Sequence, residues 1–231
     1  MTDFFRFPHT PHIAWLGEGQ PRGDKLLAPH EVDELLADVV RVEEKLDGAN
    51  LGLSLGSDGQ LRAQNRGQYL IEPYVGQFSR LTSWLAQHQW QLQEKLSADL
   101  ILFGEWCAAK HSLDYKSLPD WFVVFDVYDR AAQRFWSSQR RDELAESLGL
   151  AAVPALYEGK ASLKKLEKLL ARTVSRYRQG TPEGLVVRRE SQQWCENRAK
   201  LVRPEFTQAI GDHWRSRAIE WNRVKPSLEG A

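Results

Sequence analysis

The residues best suited to covalent chemistry lie in the segment Glu44-Lys45-Leu46-Asp47-Gly48-Ala49-Asn50. A valine-rich run before it predicts a strand, and Asp-Gly predicts a tight turn, so Lys45 stands at the end of a strand. A lysine amine becomes a nucleophile when nearby cations or burial lower its pKa. The segment fits a nucleophilic lysine, and it also fits a hairpin turn with a solvated lysine.

Three later segments carry groups that could hold a nucleotide. Glu105 lies in an apolar, strand-like run, where a carboxylate needs a partner such as a ribose hydroxyl or a structural arginine. Phe125, in a second such run, could stack on a purine or pack in the core. Glu183 precedes a glycine and enters the strand that contains Val186, a setting that suits a metal ion or phosphate-bound magnesium.

The segment Arg198–Arg203 supplies positive charge. Side chains alternate along a strand, so Arg198 and Lys200 fall on one side of it. Two cations on one face suit a triphosphate, and the alternative is a solvated edge strand.

The elements that must position these residues form a mixed pattern. Helices are predicted at Pro29–Leu36, 79–98, Ser138–Leu148, Ser162–Tyr177 and Phe206–Trp221, and strands at 39–44, 51–55, 61–65, 100–106, 121–128, 185–189 and 198–202. Residues 1–27 are expected to be irregular. Strand and helix do not alternate regularly, so the pattern predicts an α+β fold rather than a doubly wound sheet.

Composition limits the classes of protein. The 231 residues are 42% hydrophobic and 27% charged, with 31 basic and 31 acidic side chains. The zero net charge argues against tight, non-specific nucleic-acid binding through charge alone, but allows a local basic face. Two distant cysteines and the absence of a signal peptide or membrane-spanning run predict a cytoplasmic protein with no membrane partner.

Taken in order, the segments Lys-x-Asp-Gly, Arg-Gly, Phe-Gly-Glu, Phe-Asp, Glu-Gly-x-Val and a basic strand resemble the covalent nucleotidyltransferase superfamily. That superfamily comprises polynucleotide ligases and messenger-RNA capping enzymes. The resemblance runs from Glu44 to Arg203, about two-thirds of the chain. It implies an ATP-grasp-like ligase adenylation domain, with antiparallel sheets flanked by helices.

The resemblance also implies a role for each matching residue. Lys45 would be the adenylylated nucleophile, with Glu183 and Lys200 as further catalytic groups. Glu183 and Asp126 would be the metal ligands, for Mg²⁺ or Mn²⁺. The remaining residues implied to bind the ATP co-substrate are Glu44, Asn50, Arg66, Glu105, Phe125, Asp126, Val186, Arg198 and Arg203. The family motif has two lysines where this chain offers Lys200 with either Arg198 or Arg203, so the second cation stays open.

Asn50 indicates which branch of the superfamily this chain resembles. DNA ligases and capping enzymes usually carry arginine at this position. With Asn50, this chain is instead similar to RNA ligases of the RNA ligase 2 type. The opening Phe7–His12 also looks like the start of small bacterial and phage RNA-ligase-like proteins. Only 28 residues follow Arg203, too few for an added OB or helical domain. We therefore expect one domain over 1–231, with a helical tail at 204–231.

The implied function is an ATP-dependent RNA ligase that joins 5′-phosphate and 3′-hydroxyl ends in RNA repair. A protein partner could help the chain to bind its nucleic-acid substrate. Two alternatives stay open: a ligase that seals DNA or RNA/DNA hybrid nicks, and a non-catalytic nucleotide-binding module. A capping guanylyltransferase is disfavoured by Asn50 and by the short tail.

Overall fold

The computed structural model describes residues 4–19, 26–207 and 218–226. Its fold is α+β, as predicted. The helices are α1 Pro29–Leu36, α2 Leu81–Lys95, α3 Ser138–Ser147, α4 Leu163–Arg172 and α5 Pro204–Thr207. The strands are β1 Val39–Lys45, β2 Ala49–Leu55, β3 Leu61–Gln64, β4 Leu100–Trp106, β5 Phe122–Asp129, β6 Arg134–Phe135, β7 Ala151–Ala152, β8 Ala155–Lys160, β9 Gly184–Glu190 and β10 Cys195–Val202. A short 3₁₀ turn covers Gly76–Phe78.

The described strands form two sheets. The smaller sheet has the order β10-β9-β1-β8, and all of its pairs are antiparallel. The larger sheet has the order β3-β2-β4-β5-β6, with β7 added in parallel beside β5. The β1–β2 turn passes the chain from the smaller sheet to the larger one, and that turn contains Asp47 and Gly48.

The smaller sheet is covered on one face by α1 and α4. Leu166 and Leu170 of α4 pack there against Val40 and Val42 of β1, because side chains alternate along a strand and those two share a face. Glu43 and Lys45 consequently point to the opposite face. The core of the larger sheet lies against α2, where Trp84 is 2% exposed.

The β1–β2 turn requires glycine at position 48. A Cβ atom placed there would lie 2.6 Å from the carbonyl oxygen of Trp106 in β4. Because that contact is with backbone, it cannot relax by a side-chain rotation. The Asp-Gly pair therefore serves a close approach between the turn and the larger sheet, in addition to forming the turn.

The largest departures from the predicted elements are two helix ends and one strand that was not predicted. The helix predicted to reach Tyr177 ends at Arg172, because Ser175 and Arg176 turn away to bind the carboxylate of Glu44. Strand β8 was not predicted at all. Its central Glu158-Gly159 interrupts the apolar alternation, and its pairing with β1 decides its structure.

The helix predicted at Phe206–Trp221 does not reach its expected end. Its first residues belong to α5, and 208–217 lie outside the described residues. Trp221 forms an isolated bridge with Ala109, so its backbone is extended rather than helical. Among the described helices, none is long and apolar enough to cross a bilayer.

Candidate functional site

A cavity of about 520 Å³ is lined by residues of both sheets. It brings together eleven of the residues singled out from the sequence: Glu44, Lys45, Asn50, Arg66, Glu105, Phe125, Asp126, Glu183, Val186, Arg198 and Lys200. The first and last of these residues, Glu44 and Lys200, are more than 150 residues apart in the sequence. The two sheets therefore create the site by bringing distant strands together.

Lys45 lies at the end of β1 and directs its amine into this cavity. Its Nζ is 2.6 Å from Oε2 of Glu183, and a second contact of 3.4 Å reaches the carbonyl of Leu46. Burial lowers the pKa of Lys45, but the carboxylates of Glu183 and Glu105 outweigh it and raise the pKa to about 12. The expectation that neighbouring cations depress this pKa is therefore wrong for the protein groups alone, because carboxylates are its dominant neighbours.

Three carboxylates surround that amine. Glu105 accepts a 3.0 Å hydrogen bond from the Gly48 N–H, and burial together with Glu183 and Asp47 raises its pKa to about 7 despite Lys45. Burial also raises the pKa of Glu183. Like charges crowded in a buried site fit a cationic ligand, because a cation would relieve their repulsion.

Asp126 has a different environment from the one expected. Its Oδ1 lies 2.8 Å from Arg188 and its Oδ2 lies 2.9 Å from Arg198, and the side chain is 2% exposed. Both oxygens are thus engaged by guanidinium groups, and the implied role of Asp126 as a metal ligand stays a prediction. The guanidinium of Arg198 also lies 4.0 Å from the ring centroid of Phe135 and 4.8 Å from that of Phe7.

Arg198 and Arg203 are separated by the structure. Arg198 and Lys200 both line the cavity, as the strand alternation predicts. Arg203 does not line it. Its guanidinium contacts the carbonyl of Leu170 and lies 4.0 Å from Glu205. The geometry therefore favours Arg198 as the second cation beside Lys200.

Asn50 carries polar atoms that have no partner among the described residues. Both Oδ1 and Nδ2 are shielded from solvent, and neither makes a hydrogen bond there. The Nε of Arg66 is in the same condition, while its Nη1 lies 3.5 Å from His9. Buried polar groups normally find partners, so these atoms fit a polar ligand in the cavity.

Glu44, like Asp126, is a buried member of the set, at 1% exposure. Its carboxylate accepts hydrogen bonds from the Ser175 hydroxyl and from the Arg176 N–H at 2.9 Å. Burial raises the pKa of Glu44 and these hydrogen bonds lower it, and the net shift is upward. Phe125 presents its ring to the cavity and meets Phe7 edge-on, with centroids 5.3 Å apart.

Sequence reasoning missed several cavity residues. Phe7 and Thr10 come from the N-terminal segment, which pairs with β10 through the hydrogen bonds Lys200 N–H to Pro11 and Ile13 N–H to Lys200. Their only signal was the likeness of the opening Phe7–His12 to small RNA-ligase-like proteins. Arg188 had a signal too, since it lies two residues after Val186 on the same strand face.

The donor set fits a divalent metal only in part. Within the described ranges, no three His, Cys, Asp or Glu side chains are arranged to hold a metal ion by themselves. Mg²⁺ in proteins is commonly held by one or two carboxylates together with substrate phosphates and water. Glu183, with Glu105 and Asp47 nearby, meets that smaller requirement.

Comparison with known proteins gives a family and a fold. The sequence model of the family described as RNA ligase matches residues 38–202. A search of curated proteins gives no significant match.

Solved structures of RNA ligases share this fold. Naegleria gruberi RNA ligase with PPi is 21% identical, with a TM-score of 0.56 over 75% of this chain and 52% of that one. A variant of the same ligase with ATP and Mn is 18% identical, with a TM-score of 0.59 over 77% and 53%. An archaeal ATP-dependent RNA ligase is 21% identical, with a TM-score of 0.58 over 86% and 48%.

The chain thus spans about half the length of these structures. The family match covers most of this chain. The matched range includes Lys45 and every strand that lines the cavity. The chain belongs to the RNA ligase family.

Proposed function

We propose that this chain is an ATP-dependent RNA ligase that forms a lysyl-AMP at Lys45 and uses it to join 5′-phosphate and 3′-hydroxyl ends. The observation that carries the proposal is the Lys45 amine, held 2.6 Å from Glu183 in a cavity lined with polar groups. That cavity lies within the segment matched by the RNA ligase family. The same cavity is lined by ten further residues that the resemblance implied for an ATP site.

The cavity has a group for each part of ATP. The Phe125 ring offers a face for the base, and the Glu105 carboxylate can accept from the ribose hydroxyls. Lys200, Arg198 and the partnerless atoms of Asn50 suit the phosphates. Structures of Naegleria gruberi RNA ligase contain ATP and Mn, or PPi, which supports the same ligands here.

The first chemical step is an in-line displacement. The Nζ lone pair of Lys45 attacks the α-phosphorus of ATP, the bond to the bridging oxygen breaks, and pyrophosphate leaves. The amine must lose a proton, and Glu183, at 2.6 Å, is placed to accept it. Its raised pKa favours that acceptance. Lys200 and Arg198 balance the charge that develops on the phosphate oxygens.

A bound divalent metal would neutralise phosphate charge and so weaken the hold of the carboxylates on the Lys45 proton. Glu183 would ligate that metal only after it has passed the proton from Lys45 to water, because a protonated carboxyl is a poor metal ligand. AMP then passes to a 5′-phosphate end, and the 3′-hydroxyl of the other strand displaces AMP to form the phosphodiester.

Membership of the RNA ligase family implies a nucleic-acid substrate. Whether that substrate contains ribose or deoxyribose is tested directly. Matched nicked duplexes with RNA, DNA or hybrid strands, each labelled at the 5′-phosphate, are incubated with ATP and magnesium. We expect sealing of the RNA nick and its loss in Lys45→Ala. Sealing only of DNA or hybrid nicks would replace the RNA assignment with the nick-sealing alternative.

A chain that binds ATP but forms neither adenylylated ends nor joined product on any duplex would be the non-catalytic nucleotide-binding module. A need for an added protein partner would appear as sealing that is restored by cell extract while Lys45 already carries AMP.

A further inference from the structure

The last described segment of the chain, residues 218–226, lies along the β4–β5 loop, residues 107–121. We call this segment the C-terminal strap. Asn222 is its anchor and is 5% exposed. Its backbone N–H donates to Ala108 at 2.9 Å, and its Nδ2 donates to Cys107 at 2.8 Å and to Ala109 at 3.3 Å. Its Oδ1 accepts the N–H of Tyr115 at 2.8 Å. Every hydrogen-bonding group of this amide therefore serves the loop.

Neighbouring strap residues repeat the pattern. The Arg223 N–H donates to the carbonyl of Tyr115 at 2.9 Å, so Tyr115 is held on both its backbone groups. Glu220 pairs with Lys110 at 2.7 Å. The Trp221 ring centroid lies 4.1 Å from the guanidinium of Arg80, which follows the 3₁₀ turn by two residues.

The same loop grips the turn that carries the nucleophile. Asp47, two residues after Lys45, donates its N–H to the hydroxyl oxygen of Tyr115 at 2.8 Å. The carboxylate of Asp47 accepts the N–H groups of Ser112 and Leu113 at 2.8 and 2.7 Å. Tyr115 is 1% exposed, so this hydrogen bond is shielded from water.

These contacts form one continuous path from Asn222 through Tyr115 to the Asp47 turn. We propose that the C-terminal strap is a positioning element of the catalytic site, which acts through Asn222 and Tyr115 to fix the Lys45–Asp47 turn. The inference rests on the proposed function, because the geometry it protects is that of the lysine that attacks ATP. The strap lies outside residues 38–202, so the family match does not include it.

The physical reason is geometric. In-line attack needs the reacting atoms aligned, and a misplacement of about 1 Å can cost on the order of a hundredfold in rate. The turn has no helix or long strand of its own to hold it, since it spans only Leu46–Gly48 between β1 and β2. Its described tethers come from the β4–β5 loop and from Glu105, and the loop is itself fixed by the strap.

Tyr115→Phe removes one oxygen and keeps the ring packing, so it is the sharpest variant. Lysyl-AMP formation is followed at saturating ATP, and the KM for ATP is measured alongside. We expect the saturating rate to fall about tenfold while KM stays within about twofold, because alignment is lost and ATP binding is not. Tyr157→Phe is the matched control, since its hydroxyl contacts Lys160 and Lys165 at β8 and α4. A parental rate in folded Tyr115→Phe would overturn the inference.

Asn222→Ala tests the remote end of the path. We expect a similar fall in rate, and the double variant to lose less than the product of the two single losses, since both act through one contact. Multiplicative losses would mean two independent effects and would contradict the path.

The amide resonance of Asp47 gives a readout that does not depend on catalysis. It should shift in Asn222→Ala and in Tyr115→Phe, and stay in place in Tyr157→Phe. An unmoved resonance in folded Asn222→Ala overturns the positioning role, whether or not the parent chain forms lysyl-AMP. If the parent forms none while the resonance does shift, the proposed function fails and the structural path stands.

Discussion

At the scale of single residues, the site depends on the balance of charge around Lys45. The protein groups alone hold the amine as an ammonium, with a pKa of about 12. Under the proposed function, a divalent metal bound with the triphosphate would engage the neighbouring carboxylates and so weaken their hold on the Lys45 proton.

The two candidate second cations predict different phenotypes. Arg198→Ala removes a guanidinium that lines the cavity, so kcat/KM for lysyl-AMP formation should fall by on the order of 10- to 100-fold. Arg203→Ala is the matched comparison and should stay within about threefold, because Arg203 contacts Leu170 and Glu205 instead. The two variants are compared by single-turnover labelling over a range of ATP concentrations. A larger loss in Arg203→Ala would contradict the assignment.

Glu105 should make the folded protein less stable at alkaline pH. Its pKa of about 7 in the fold exceeds the ordinary 4.5, so the folded state binds more protons than the unfolded state between those values. Stability is therefore lost as pH rises through about 7. Glu105→Gln, which keeps an acceptor for the Gly48 N–H, should raise Tm by on the order of 5 °C at about pH 8 and by little at about pH 5.

Glu167→Gln, on the exposed side of α4, is the control for that measurement and should leave Tm unchanged at both pH values. An equal Tm of Glu105→Gln and the parent at the higher pH would show that Glu105 carries no such penalty.

At the scale of elements, a buried ionic cluster joins β1, β5, α3 and β9 beneath the cavity. Arg141, fully buried, donates to Glu43 at 2.7 Å and to the carbonyl of Phe125 at 2.9 Å. Arg188 lies between Glu190, at 2.6 Å, and Asp126. The cluster therefore links the two sheets. It also reaches the cavity residues, because Arg141 contacts the carbonyl of Phe125 and Asp126 pairs with Arg198.

Arg141→Met should destabilise the fold by about 3–5 kcal/mol, because it leaves a buried carboxylate without its closest partner. Burial raises the pKa of Glu43, but Arg141 and Arg188 outweigh it and hold the pKa below 4.5. The stability that Glu43 contributes is therefore present above about pH 4.5 and lost as pH falls below it. Chemical denaturation across acidic pH measures both effects.

Arg134→Met removes a surface pair with Glu196 and should cost under about 1 kcal/mol, which makes it the control. A cost for Arg141→Met no larger than that of Arg134→Met would mean that the cluster does not hold the sheets together.

Element boundaries show where sequence patterns stop being sufficient. Strand β1 and helix α1 were predicted within a residue, because local alternation and helix-start signals determine them. The end of α4 was not, since the Ser175–Glu44 contact across 131 residues overrides local helix propensity. Strand β8 depends in the same way on its pairing with β1.

At the scale of the whole molecule, the ordered motifs predicted the α+β fold and the set of residues that share one cavity. They did so because most of the motifs lie at or beside strand ends, and the two sheets bring them to one cavity. Two contributions lay outside any motif: the N-terminal segment with Phe7 and Thr10, and the C-terminal strap with Asn222. Only tertiary contacts reveal the role of the strap, and the N-terminal segment gave no signal beyond the likeness of Phe7–His12 to small RNA-ligase-like proteins.

The proposed ligase activity depends on a covalent bond between Lys45 and AMP. The most direct measurement incubates the chain and its Lys45→Ala variant with magnesium and either α-labelled ATP or α-labelled GTP, followed by denaturing electrophoresis. Pyrophosphate treatment beforehand strips any AMP already bound. We expect acid-labile label on the parent chain from ATP alone and none on Lys45→Ala. Label that persists on Lys45→Ala, or a parent chain that takes up none after stripping, would contradict it.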